Sequence, residues 1–102
     1  IVDDQVIYFK KLYEVVNNHD NGEELKNFFI NNYGNFLNLN NGISVMHKYG
    51  YYGQYYHDVG IFLDDNPYII VVLTKEANNN YKTIINDVSK KIYKLHLLYK
   101  WK

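Results

Sequence analysis

The chain has 102 residues, with eleven lysines, eleven acids and no arginine, so its formal charge is zero. That length fits one domain, and 47% hydrophobic with 22% charged residues excludes a disordered tail. Neutral charge argues against bulk attraction to a polyanion, and the absence of cysteine removes disulfides, thiolate metal sites and thiol nucleophiles.

The longest apolar run, Ile69 to Leu73, is far short of the ~20 residues that span a bilayer. Asp3 and Asp4 sit where a signal peptide would be basic. Twelve tyrosines and fifteen asparagines are unusual, and the only methionine is Met46, behind a start at Ile1. The chain therefore reads as a piece of a longer protein, with residues 1–102 forming a single partial domain. Its organisation is a helical segment over 1–42 and a strand-strand-strand-helix segment over 43–102.

From Asp3 to Asn18, apolar residues at Val6, Phe9, Tyr13 and Val16 make one helical stripe, widened by Ile7, Leu12 and Val15. Asp3 or Asp4 is the expected cap. Turn chemistry over Asn17 to Gly22 ends that helix. A second helix is expected from Glu23 to Tyr33, burying Leu25, Phe28 and Phe29, with Gly34 as its stop. Residues 34–42 read as an ordered loop.

Three strands follow, at Ile43–Tyr49, His57–Leu63 and Pro67–Thr74. The third is continuously apolar, as when both faces are covered. Asp64-Asp65-Asn66-Pro67 is a turn that makes the last two strands an antiparallel hairpin. After Ala77 to Asn80, a closing helix runs from Tyr81 to Tyr99. Its expected sheet-facing stripe is Tyr81, Ile84, Ile85, Val88, Ile92, Leu95 and Tyr99. The fold class is α+β: an antiparallel three-stranded sheet covered by a C-terminal helix, with two helices before it.

Chemical motifs are sparse. The chain contains neither Ser-x-x-Lys nor Gly-x-Ser-x-Gly, and it lacks a glycine-rich phosphate loop. Ser44 precedes His47 by three residues. His19, His47, His57 and His96 are scattered without metal-ligand spacing and read as hydrogen-bonded structural residues, so neither metal nor cofactor is expected. The unusual block is residues 45–61, where Lys48 ends a strand before an aromatic and a glycine. Such a lysine binds a carboxylate as a point charge, and glycine admits a close neighbour.

From about residue 43 onward, the chain resembles the C-terminal part of a class A beta-lactamase-like (penicillin-recognising) serine hydrolase domain. The likeness rests on Val45-Met46-His47-Lys48-Tyr49-Gly50, on His57-Asp58-Val59-Gly60-Ile61-Phe62, and on Pro67 to Lys75 before the last helix. Residues 3–42 correspond more loosely to the helices ahead of that block.

The resemblance implies two lobes with a cleft between them, and acyl transfer by a serine on a beta-lactam or a D-alanyl peptide. It also implies that Lys48 meets the substrate carboxylate, Gly50 lets the ligand approach, and the Tyr51 N–H donates one oxyanion-hole bond. Tyr49 stands where the family has Thr or Ser. His47 and Asp58 are expected to support the site without touching substrate, Asp58 by anchoring a turn. No catalytic residue is expected within this chain, because the nucleophile lies upstream in the family. Tyr33-Gly34-Asn35 and Glu23 to Asn27 imitate other family elements at the wrong distance.

The expected partners are a beta-lactam or D-alanyl peptide in the full-length protein, and either the missing N-terminal part of the domain or a second copy at open sheet edges. Neither nucleic acid nor a membrane span is expected. By resemblance alone, the location is extracytoplasmic, secreted or on the cell surface. The alternative is a non-catalytic binding or structural module that uses the tyrosine-rich hairpin 49–56.

Overall fold

A computed structural model describes residues 2–75 and 80–99, with only the backbone of Tyr52. The Ala77–Asn79 loop expected from sequence lies outside the described residues. Element order is α1 (Val2–Asn18), α2 (Gly22–Ile30), β1 (Val45–Tyr52), β2 (Tyr55–Phe62), β3 (Tyr68–Lys75) and α3 (Tyr81–Tyr99). The strands form one antiparallel sheet in the order β1-β2-β3, so the α+β architecture read from the sequence is the one observed.

Helices cover both faces of the sheet. On one face Phe9, Leu12 and Val16 of α1 and Phe29 of α2 pack against Met46, Val59 and Ile61. On the other, Leu37 and Ile85 pack with Val45, Phe62, Tyr68, Ile70 and Val72. Alternation along each strand assigns the residues to these faces, and cover on both faces explains why β3 is apolar from Tyr68 to Leu73.

Several boundaries differ from the sequence reading. Asp3 and Asp4 lie inside the first turn of α1, where their charge still suits the positive end of the helix dipole. Helix α2 stops at Ile30, and β1 begins at Val45 and runs on to Tyr52. Residues 31–44 instead form an ordered cover over the start of β1. Asn35 Nδ2 donates to the carbonyls of Ile30 (3.3 Å) and Val45 (3.0 Å), and Asn86 Nδ2 donates to those of Phe36 (3.0 Å) and Asn38 (3.1 Å). At the sheet centre, Gly60 lies beneath this cover. A Cβ there would stand 2.7 Å from the Met46 carbonyl oxygen and 2.9 Å from Leu37 Cδ1.

Helix α3 has the expected bounds but a rotated buried face. Its buried residues are Ile85, Ser89 and His96. Ser89 donates to the Leu37 carbonyl at 2.7 Å, and His96 Nε2 lies 2.8 Å from Asp64 Oδ2. These polar anchors turn Ile84, Val88, Leu95 and Tyr99 of the expected stripe to solvent.

Candidate functional site

Strand β1 carries all four expected substrate-binding positions, and hydrogen-bond parity fixes where they point. The Leu63 N–H donates to the Ser44 carbonyl at 3.0 Å, one step beyond the Val45↔Phe62 pair. Opposed residues of an antiparallel pair alternate between bonded and non-bonded, so the even-numbered residues of β1 bond to β2. The N–H and C=O groups of Val45, His47, Tyr49 and Tyr51 therefore face away from β2, toward the sheet edge. The bond from Asn35 to the Val45 carbonyl agrees with this. Past the cover, the Tyr49 and Tyr51 amides lie along that edge with no hydrogen-bond partner among the described residues.

Side chains alternate as well. Lys48 shares the α1/α2 face with Met46, is exposed, and makes no ion pair among the described residues. Tyr49 points to the α3 face and enters an aromatic cluster. Its ring lies 6.0 Å from that of Tyr81 and 5.8 Å from that of Phe36, and its hydroxyl donates to the Tyr81 hydroxyl at 3.5 Å. Tyr81 in turn stacks on Tyr56, with centroids 4.1 Å apart and planes 4° from parallel. Burial first, and then the bond to Tyr81, raise the Tyr49 phenol well above its ordinary value, so it stays a neutral hydroxyl.

Gly50 does admit a close neighbour, and that neighbour is a side chain of the protein. Gly50 faces His57 across the sheet, and a Cβ on Gly50 would stand 2.7 Å from both Cε1 and Nε2 of His57. The imidazole thus lies over the glycine, on the same face as Lys48. Its ring nitrogens make no hydrogen bond with another described residue. Sequence reasoning missed His57 in this position. The signal was available, since a two-residue turn at Gly53-Gln54 sets 50 opposite 57.

His47 and Asp58 form a pair that is 0% exposed, with Nδ1 2.9 Å from Oδ1. Nε2 of His47 lies 2.9 Å from the Asn32 carbonyl. Asp58 therefore sits mid-strand and braces His47, where the sequence reading had it anchor a turn. Burial raises its carboxyl above the ordinary value, and the bond to His47 opposes that shift.

The alcohol side chains offer no activated nucleophile. Ser44 and His47 project to opposite faces of the sheet. Ser89 is spent on the Leu37 carbonyl, and Thr74 donates to the Tyr56 carbonyl at 3.0 Å. Among the described residues no cluster of three potential ligands could hold a metal ion, and no helix is long and apolar enough to cross a membrane. A cavity of about 510 Å³ lies between α1 and the start of β3 and is lined in part by Lys10, Tyr13, Ile61, Pro67 and Tyr68.

No curated protein and no solved structure is significantly similar to the chain. A family comparison does match, over residues 2–96, and so takes in both helical layers, all three strands and the segment from Lys48 to Tyr51. The chain belongs to the beta-lactamase enzyme family.

Proposed function

We propose that this chain supplies the substrate-binding side of a class A-like acyl-transfer site, as the C-terminal part of a serine hydrolase domain acting on beta-lactams or D-alanyl peptides. The observation that carries the reading is the outer edge of β1, where an exposed lysine with no ion pair among the described residues stands three positions before an outward-facing Tyr51 amide. Lys48 attracts the substrate carboxylate. The Tyr51 N–H donates to the oxygen that becomes negative when a serine attacks the acyl carbon. That serine comes from residues beyond these 102. With its hydroxyl engaged by Tyr81, Tyr49 leaves carboxylate recognition chiefly to Lys48.

The bare edge of β3 supports the same reading. By the parity that holds for β1, the backbone groups of Ile69, Val71, Leu73 and Lys75 point away from β2, and no fourth strand meets them among the described residues. An added strand from the rest of the domain would complete the sheet there. On this reading the domain works outside the cytoplasmic membrane, where substrates of this class are met.

A second reading, a non-catalytic module binding through hairpin 49–56, is favoured by the Tyr49 phenol and by Tyr51, which is 67% exposed. Intact mass of the full-length protein after incubation with a penicillin separates the two. A gain equal to the drug, abolished by Lys48→Ala, supports acyl transfer. An unchanged mass, with a penicillin that acylates a control enzyme, overturns it and leaves the binding module.

A further inference from the structure

The His47–Asp58 pair has a proton count fixed by its surroundings. Asn32 presents a carbonyl to Nε2, and a carbonyl only accepts, so Nε2 carries a proton. The contact between Nδ1 and Oδ1 has two possible arrangements. Either an Nδ1–H donates to a carboxylate, or a carboxylic acid donates to bare Nδ1. Both hold one proton between the two residues and have zero net charge. Removing it sets a carboxylate against a nitrogen lone pair at 2.9 Å inside the protein. Adding another leaves an acid O–H on Oδ2, a buried atom with no partner among the described residues.

We propose that Asp58 and His47 form a net-neutral, proton-sharing clamp that fastens residues 31–36 to β1 and so positions Lys48 beside it. Charged and titratable neighbours are few. On β1 they are Lys48 and the Tyr49 phenol, and on β2 His57 and the Tyr56 phenol, the last on the same face as Asp58. Strand β3 places Ile70 and Val72 opposite the pair, the 31–36 cover brings Asn32 and Asn35, and α3 brings the Tyr81 phenol. Being neutral, the clamp leaves the ammonium of Lys48 uncompensated for a substrate anion. The proton content stands on geometry alone, whereas the positioning role rests on the proposed acyl-transfer site.

Nitrogen-15 spectra of the His47 ring in the full chain test the proton content without any substrate. Nε2 should resonate as a protonated nitrogen, because its partner is a carbonyl oxygen. A bare Nε2 with the fold intact overturns the proposal.

Asp58→Asn keeps a donor for Nδ1 and should preserve Nε2–H, with hydrogen exchange at the Phe36 and Asn38 amides within about threefold of the parent. Asp58→Ala should speed that exchange at least tenfold, the equivalent of about 1.4 kcal/mol. If Asp58→Asn loosens the cover as much as Asp58→Ala, the clamp is refuted. Should Asp58→Ala fail to fold, the ring spectrum of Asp58→Asn carries the test. Absence of a penicillin adduct alongside the expected spectra would refute the acyl-transfer reading and leave the proton-sharing clamp standing.

Discussion

The two edges of the sheet are managed differently. Along its first half the β1 edge is closed: Asn35 takes the Val45 carbonyl, His47 takes Asn32, and Leu37 lies buried behind them. It opens only at Tyr49 to Tyr51. No strand pairs with the β3 edge among the described residues, and Ile69, Val71 and Leu73 stand along it, Leu73 being 51% exposed. Unpaired strand edges invite another chain. Closing part of β1 leaves a short, polar opening beside a lysine, suited to a small ligand. The long apolar edge of β3 is suited to another strand.

The largest expected effect comes from breaking the covered edge at its buried pair. His47→Ala strands the Asp58 carboxyl and should cost about 3–5 kcal/mol in denaturant unfolding. Asn35→Ala frees the Ile30 and Val45 carbonyls and should cost about 1–3 kcal/mol in the same measurement. Gly50→Ala forces the His57 ring away and should cost about 1–2 kcal/mol. Combining it with His57→Ala should recover part of that loss, and strictly additive costs would show that the ring does not rest on the glycine.

Effects at β3 are smaller. Burial first, and then the negative charge of Asp64, raise the Tyr68 phenol, whose hydroxyl has no partner among the described residues. The folded state therefore holds that proton more tightly than the unfolded chain. The resulting stability is full below pH about 10 and is lost as pH climbs from there through the folded value. Tyr68→Phe should flatten this alkaline loss and change neutral-pH stability by less than about 1 kcal/mol. Leu73→Lys should shift stability by about 0.5 kcal/mol or less while reducing self-association seen by light scattering, if the bare edge is sticky.

The elements were legible because their signals are local. Helix α3 was bounded correctly, and Asp64 to Pro67 fixed the β2–β3 hairpin. Its buried face was not legible, because periodicity counts apolar residues. What turns the helix is Ser89, Asn86 and His96, each satisfied by a partner 32 to 52 positions away. The site divides in the same way. Lys48 to Tyr51, on which the proposed function rests, form one contiguous stretch directly after His47. The pairing of His47 with Asp58, the role of Asn32 and the place of His57 depend on strand register and on a loop fold that no spacing rule encodes. Tyr49 shows the limit of reading by position, since its aromatic neighbours come from residues 36 and 81 as well as from Tyr51.

Gly60 has the widest reach of any position described. It touches neither Lys48 nor the open edge, yet the Leu37 side chain and the Met46 carbonyl close over it from both sides. A methyl group there would act as a wedge, lifting the 31–44 cover while the three helices kept their own hydrogen bonds. A protein altered at this one backbone atom would look intact by helical content and still lose the shape of a site several residues away. A screen for lost function would then mark Gly60 as part of the proposed site, though its close neighbours are Leu37, Val45 and the Met46 carbonyl.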